Sequence, residues 1–269
     1  MKKPFFLFLF IFFLTFSPPV QSDSRVDAQE IINKAKEASA GIKTVRVIGR
    51  SITGSINTTY SQGAMDYLKG NFFLIENTDS MVIRSIYLKD NSTYIYDGIF
   101  ANWVKFAEPV DFSGKIFKKD MWFSIFPTKA DELGLEVKLL GEQMLEGQAC
   151  YVLHSRVVDI ARAKFYVSKF LEDFFSKSLI SMLRSDERIL QDFLTTYVKN
   201  LKTTLWISKD SFFVVKLLNS YDQMPGEGEA LLIEDESVFY DFNKPLEIEI
   251  PEDAQSAKVV KSADLGPIF

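Results

Sequence analysis

Between residues 45 and 106 the chain alternates apolar and polar side chains in short runs, and a turn signal closes each run. The turns are Thr53-Gly54, Lys69-Gly70-Asn71, Asp79-Ser80, Lys89-Asp90-Asn91 and Asp97-Gly98. A period of two residues is the mark of a strand with one covered face. Connections this short join neighbours antiparallel, because a parallel crossover needs a dozen or more residues. The pattern predicts strands at about 45–53, 57–67, 71–77, 81–88, 92–96 and 103–106. It resumes at about 136–144 and 148–158, joined by Glu146-Gly147, and at 202–208 and 211–222, joined by Lys209-Asp210. A last pair is expected at 229–241 and 246–250. So many hairpin-connected strands must form one large sheet, and such a sheet needs cover on one face.

Helical spacing occurs in three places. Ile31, Ile32, Ala35 and Ala38 recur over 27–39, with Asp27 as cap and Gly41 after the end. Phe112, Ile116, Phe117, Met121, Trp122 and Phe126 suggest a helix over 112–126, stopped by Pro127. The largest insert covers about 160–200. There Val167, Phe170, Leu171, Phe174, Phe175, Leu179, Met182 and Leu183 recur at three and four, and Ser185-Asp186 interrupts. A second helix follows with Ile189, Leu190, Phe193, Leu194 and Tyr197. The fold class expected is mainly β with helices (α+β): a single curved antiparallel sheet with helices across its concave face.

The N-terminus reads as a secretory signal. Lys2 and Lys3 precede an apolar run from Phe5 to Phe16, then Ser17-Pro18-Pro19 breaks it. The run is too short for a helix to span about 30 Å of hydrocarbon. Cleavage is expected between Ser22 and Asp23. This divides the chain into a signal peptide (1–22), one domain (23–255) and a C-terminal tail (256–269), and places the mature protein in the periplasm.

Composition excludes more chemistry than it offers. One cysteine, Cys150, rules out an internal disulfide, and one histidine, His154, leaves zinc sites and hydrolase triads short of partners. Asp131-Glu132, Asp186-Glu187 and Glu234-Asp235-Glu236 lack the spacing of a calcium loop. Gly226-Glu227-Gly228 lacks the strand–loop–helix context of a phosphate cradle. Lys115, Lys118 and Lys119 stand near Phe117 and Trp122, but a net charge of −5 argues against nucleic acid as a partner. No catalytic residue, metal or cofactor is expected.

Several phrases, taken in order, carry a resemblance. They are Tyr94-Ile95-Tyr96-Asp97-Gly98 with Trp103; Glu146-Gly147-Gln148-Ala149-Cys150-Tyr151-Val152-Leu153; Leu205-Trp206-Ile207-Ser208-Lys209-Asp210 with Phe213-Val214-Val215-Lys216; and Tyr240 to Pro245 with Ile250-Pro251-Glu252-Asp253-Ala254. Over roughly 25–255 the chain resembles the periplasmic lipoprotein-carrier superfamily of LolA-like carriers, RseB-like sensors and LppX/LprG-like lipoproteins. The resemblance implies an incompletely closed β-barrel with a helical lid over an apolar concave face, and a non-catalytic, monomeric carrier of lipid acyl chains or lipidated proteins. The alternative on the same fold is an RseB-type envelope-stress sensor with a membrane-protein partner. Candidate cavity walls are Tyr94, Tyr96, Trp103, Trp122, Phe170, Phe174, Leu205 and Phe213.

The export reading gives a first prediction. Intact-mass measurement of protein recovered from the periplasm should show a chain beginning at Asp23. A retained Phe-rich leader, or a lipid adduct at the N-terminus, contradicts it.

Overall fold

A computed structural model describes residues 27–54, 57–98, 101–106, 134–165, 187–223 and 231–260. The signal peptide, the 112–126 helix with Trp122, the 166–186 stretch with Phe170 and Phe174, and Gly226-Glu227-Gly228 lie outside these residues.

The chain enters through helix α1 (Ala28–Ala40) and then makes a six-stranded meander. Its strands are β1 (Thr44–Thr53), β2 (Asn57–Asp66), β3 (Asn71–Asn77), β4 (Val82–Lys89), β5 (Ser92–Asp97) and β6 (Asn102–Phe106). A second run holds β7 (Leu135–Leu145), β8 (Gln148–Val157), helix α2 (Glu187–Lys199), β9 (Lys202–Ser208), β10 (Val214–Gln223) and β11 (Leu231–Tyr240). Residues 160–165 are also helical. The one-turn helix α3 (Glu252–Gln255) and strand β12 (Lys258–Val260) follow.

All twelve strands form one sheet in the order β12-β6-β5-β4-β3-β2-β1-β11-β10-β9-β8-β7. Every pairing is antiparallel except β12 with β6. The two end strands, β12 and β7, do not pair, so the sheet stays open. β1 and β11 join the two meanders through eight residue pairs, Arg46↔Tyr240 to Thr53↔Ile233.

The strand reading holds to within a few residues, with two exceptions. Residues 246–250 form no ladder. Instead 241–257 run past the strand ends as a strap, and 258–260, read in the sequence as tail, add β12 to the sheet.

Helix α1 explains where the core sits. Ile31, Ile32 and Ala35 are all 0% exposed. They pack with Val45, Met65, Phe72, Ile86, Ile95, Leu153, Leu205, Ile207, Leu217 and Phe239. Each isoleucine so buried contributes about 1.5–3 kcal/mol. Asp27 takes the N-cap position, but its side chain makes no capping bond. Gly41 ends the helix at φ −81, so its left-handed freedom is unused. The chain turns there through Gly41 N–H to Ala38 O (2.9 Å) and Ile42 N–H to Ser39 O (3.1 Å).

Leu205 is 0% exposed in this cluster, whereas Ile48 is 47% exposed. Leu205→Ala should lower stability by about 2–5 kcal/mol through lost transfer energy and a residual cavity. Ile48→Ala should cost about 0.5 kcal/mol or less. Denaturant melts of the two variants make the comparison; equal midpoints would place the core elsewhere.

Candidate functional site

Register sorts the side chains into two faces, because successive residues of a strand point to opposite sides. Val47 pairs with Phe239 and Gly63, and Val45 with Met65. Met65 pairs with Phe72, Phe72 with Leu88, and Ile86 with Ile95. These residues face α1. On the other meander Leu217 pairs with Ser237 and Leu205, and Leu205 with Leu153, all on the same side. Helix α2 covers this face too: the Tyr197 ring lies 4.8 Å from that of Tyr221, two places on from Asn219 and four from Leu217. We call this the helix-bearing face. The outer face carries Phe73, Tyr87, Tyr94, Tyr96 and Trp103, and the rings of Phe73, Tyr87, Trp103 and Tyr96 form a chain. Centroid distances are 5.7 Å for Phe73–Tyr87, 5.8 Å for Tyr87–Trp103 and 5.3 Å for Tyr96–Trp103.

The predicted wall residues therefore do not share one cavity. Tyr94, Tyr96 and Trp103 stand on the outer face. Leu205 stands on the helix-bearing face and is consumed by the core. Phe213 leaves the sheet just before β10 and packs on Phe242, ring to ring at 4.7 Å, at the margin of the core. Trp122, Phe170 and Phe174 lie outside the described residues.

The helix-bearing face has two halves. Under α1 the described residues Ser39, Ile42, Val45, Tyr67, Val214, Phe239 and Phe242 bound a void of about 20 Å³. That is room for about one water and not for an acyl chain. Beyond α1 the floor becomes low. β1 presents Gly49 and Ser51, β2 presents Gly63 and Ser61, and β11 presents Ser237. A Cβ on Gly63 would meet Phe73 O at 2.8 Å, and one on Gly49 would run into Ser61 Oγ. Glycine is required at Gly63 by the close approach of the β3 backbone, whereas at Gly49 the obstacle is the Ser61 hydroxyl, which can rotate away. Half-buried Leu74 stands on one side of this floor, and Leu217 and Ile233 on the other.

Its far end is polar. Tyr221 Oη donates to Asp235 Oδ2 at 2.9 Å, and Thr203 Oγ1 donates to Asn219 Oδ1 at 2.8 Å. Burial, with the Asp235 charge beside it, pushes the Tyr197 hydroxyl up to about 12. Burial and the same carboxylate also raise Tyr221. Both phenols stay neutral at any physiological pH. Sequence reasoning passed over this cluster, and over Gly49 and Gly63, although glycine inside a strand pattern is a signal of close backbone approach.

The other singled-out residues are placed as follows. Glu234, Asp235 and Glu236 alternate faces, and Glu236 on the outer side pairs with Lys216 at 2.8 Å. Cys150 is 0% exposed, and burial raises its thiol. His154 is on the outer face, with Nδ1 3.1 Å from Thr204 Oγ1. Among the described residues no group of three His, Cys, Asp or Glu side chains could hold a metal, and no helix is long and apolar enough to cross a membrane.

No family model and no curated protein matches the chain. Among solved structures it is similar to LprF from Mycobacterium bovis, at 14% identity over 83% of this chain and 96% of that one, with a TM-score of 0.47. The lipoprotein LppX from Mycobacterium tuberculosis gives 12%, 82%, 97% and 0.45 in the same terms. A LolA superfamily protein from Nitrosomonas europaea gives 13%, 84%, 96% and 0.27.

Partial burial lowers the pKa of His154 below 6.5, and Lys202 and Arg156 lower it further. The unfolded chain then binds the proton more tightly than the folded one. This contribution to stability is complete above about pH 6.5 and is lost as pH falls through that value towards the folded one. Wild type should lose more stability between about pH 8 and about pH 5 than His154→Gln does. Parallel pH profiles from denaturant melts would remove the effect.

Proposed function

We propose that the chain is an exported, non-enzymatic binding protein that carries lipid acyl chains or lipidated proteins in the cell envelope. The observation that carries this reading is the low floor on the helix-bearing face, where Gly49, Gly63, Ser51, Ser61 and Ser237 replace the large side chains found under α1. A floor of small residues between Leu74 on one side and Leu217 and Ile233 on the other suits a thin, flexible apolar ligand. Removing each CH₂ from water is worth about 0.8 kcal/mol, so a long chain binds tightly without a charged contact.

Two measurements test it. Native mass spectrometry of the protein recovered from the periplasm should find co-purified lipid. Titration of the lipid-stripped protein with a fluorescent fatty-acid probe should saturate. Ser237→Phe should fill the floor and weaken the probe about tenfold or more, while the thermal melt stays close to that of wild type. A folded, lipid-stripped protein that is blind to several acyl probes sinks the carrier reading.

A further inference from the structure

We propose that the outer face carries a second site, a saccharide-binding cleft between the β4–β5 hairpin and the C-terminal strap. It lies across the sheet from the floor described above and does not rest on the carrier reading. The cleft holds about 540 Å³, inside the range of about 300–1,000 Å³ usual for small-ligand sites. The hairpin contributes Lys89, Asp90, Ser92 and Tyr94, and the strap contributes Glu249, Ile250 and Gln255.

Both walls are held in place. At the hairpin tip Asp90 and Asn91 adopt φ of 50 and 62, the left-handed pair that a tight two-residue turn demands. Asn71, 7% exposed, accepts the Asp90 N–H on its Oδ1 at 3.1 Å. On the strap Ile248 is 5% exposed and Ala254 is 0% exposed, so the segment between them is anchored at both ends. Trp103 Nε1 donates to Asp253 Oδ2 at 2.8 Å and ties α3 to the outer face. A cleft with fixed walls loses little freedom when it binds.

The lining selects the ligand class. The lining carries one cation, Lys89, and two carboxylates, Asp90 and Glu249, and Lys105 Nζ, outside the lining, stands 5.1 Å from the Tyr94 ring centroid. The carboxylates outnumber the one lining cation, so a phosphate is not favoured. Two carboxylates are too few to hold a calcium ion. An acyl chain would strip water from charged groups and give nothing back. A peptide added as a further strand would need a free edge, but β5 is paired on both sides, with β4 and with β6. The lining matches a neutral molecule with an apolar face for the Tyr94 ring and a rim of hydroxyls. Those hydroxyls would meet the carboxylates, the Ser92 hydroxyl and the Gln255 amide. A pyranose ring has that form.

The test uses the mature protein with three neutral probes, chitotetraose, maltotetraose and cellotetraose, read by saturation-transfer NMR and calorimetry. At least one should bind with a dissociation constant of about 1 mM or tighter. Tyr94→Ala should weaken that probe about tenfold, whereas Tyr94→Phe keeps the ring and stays within about twofold. Glu249→Gln, which preserves shape, should weaken it about threefold or more. All three variants should melt like wild type and titrate a fluorescent fatty-acid probe unchanged, which separates this site from the carrier reading. Absence of binding by all three saccharides at about ten times that concentration overturns the proposal. So does a saccharide affinity that Tyr94→Ala leaves intact, or tighter binding of tetra-alanine than of any saccharide.

Discussion

The pairing of β1 with β11 is the constraint on which the rest of the molecule depends. Each meander could form its hairpins locally, but only this seam makes them one sheet. Its register is fastened where the strands begin and end. Lys43 N–H donates to Asn243 Oδ1 at 2.6 Å, and Thr44 Oγ1 donates to Lys244 O at 2.7 Å, each across 200 positions of sequence. Asn243 N–H returns to Thr44 O at 2.9 Å. Closing so long a loop costs entropy before any contact rewards it, and such contacts form late. A slip of one residue would exchange the faces of five strands against seven. Polar fastening outside the ladder therefore protects the packing of α1 on both meanders.

The alternation that marks the strands is a local property, and it located β1 to β11 to within a few residues. Helix α1 was equally plain, since Ile31, Ile32 and Ala35 fall on one stripe. Which way each strand faces was not legible. That depends on pairing, and irregularities shift the pairing between Leu139 and Gly141 and between Val214 and Lys216. Tyr94 and Leu205 therefore read as members of one wall and stand on opposite sides. β12 was invisible for another reason. Three residues carry no period, and its place in the sheet is set by the anchoring of the strap through Ile248, Asp253 and Ala254. The Tyr197–Tyr221–Asp235 group depends on α2 crossing β10, which no pattern within either element records.

The polar end of the helix-bearing face bears on how the sheet can be used. A buried phenol or carboxylate without a partner would cost several kcal/mol, roughly what a small domain has to spare. Tyr221 and Asp235 satisfy each other, and Tyr197 is kept neutral, so the group adds order without an unpaired charge. Core volume lies under α1 and also at α2, where Leu194 and Val198 are 2% and 0% exposed, while Gly49 and Gly63 add no side chain of their own to it. On the carrier reading a ligand would cover a floor that lends the core no large side chain.

The same alternation lets one strand serve two surfaces. In β5, Ile95 is 2% exposed and packs beneath α1, while its neighbours Tyr94 and Tyr96 stand in the aromatic row on the other side. Residues adjacent in sequence are separated by the full thickness of the sheet. A substitution at 95 acts on the core and, through it, on the helix-bearing face. One at 94 reaches the outer cleft and leaves the core contacts in place. The backbone between them is shared and paired on both sides, so neither change need disturb the other. The two surfaces of an open sheet can therefore be altered separately by single residues, because parity in the strand insulates one face from the other.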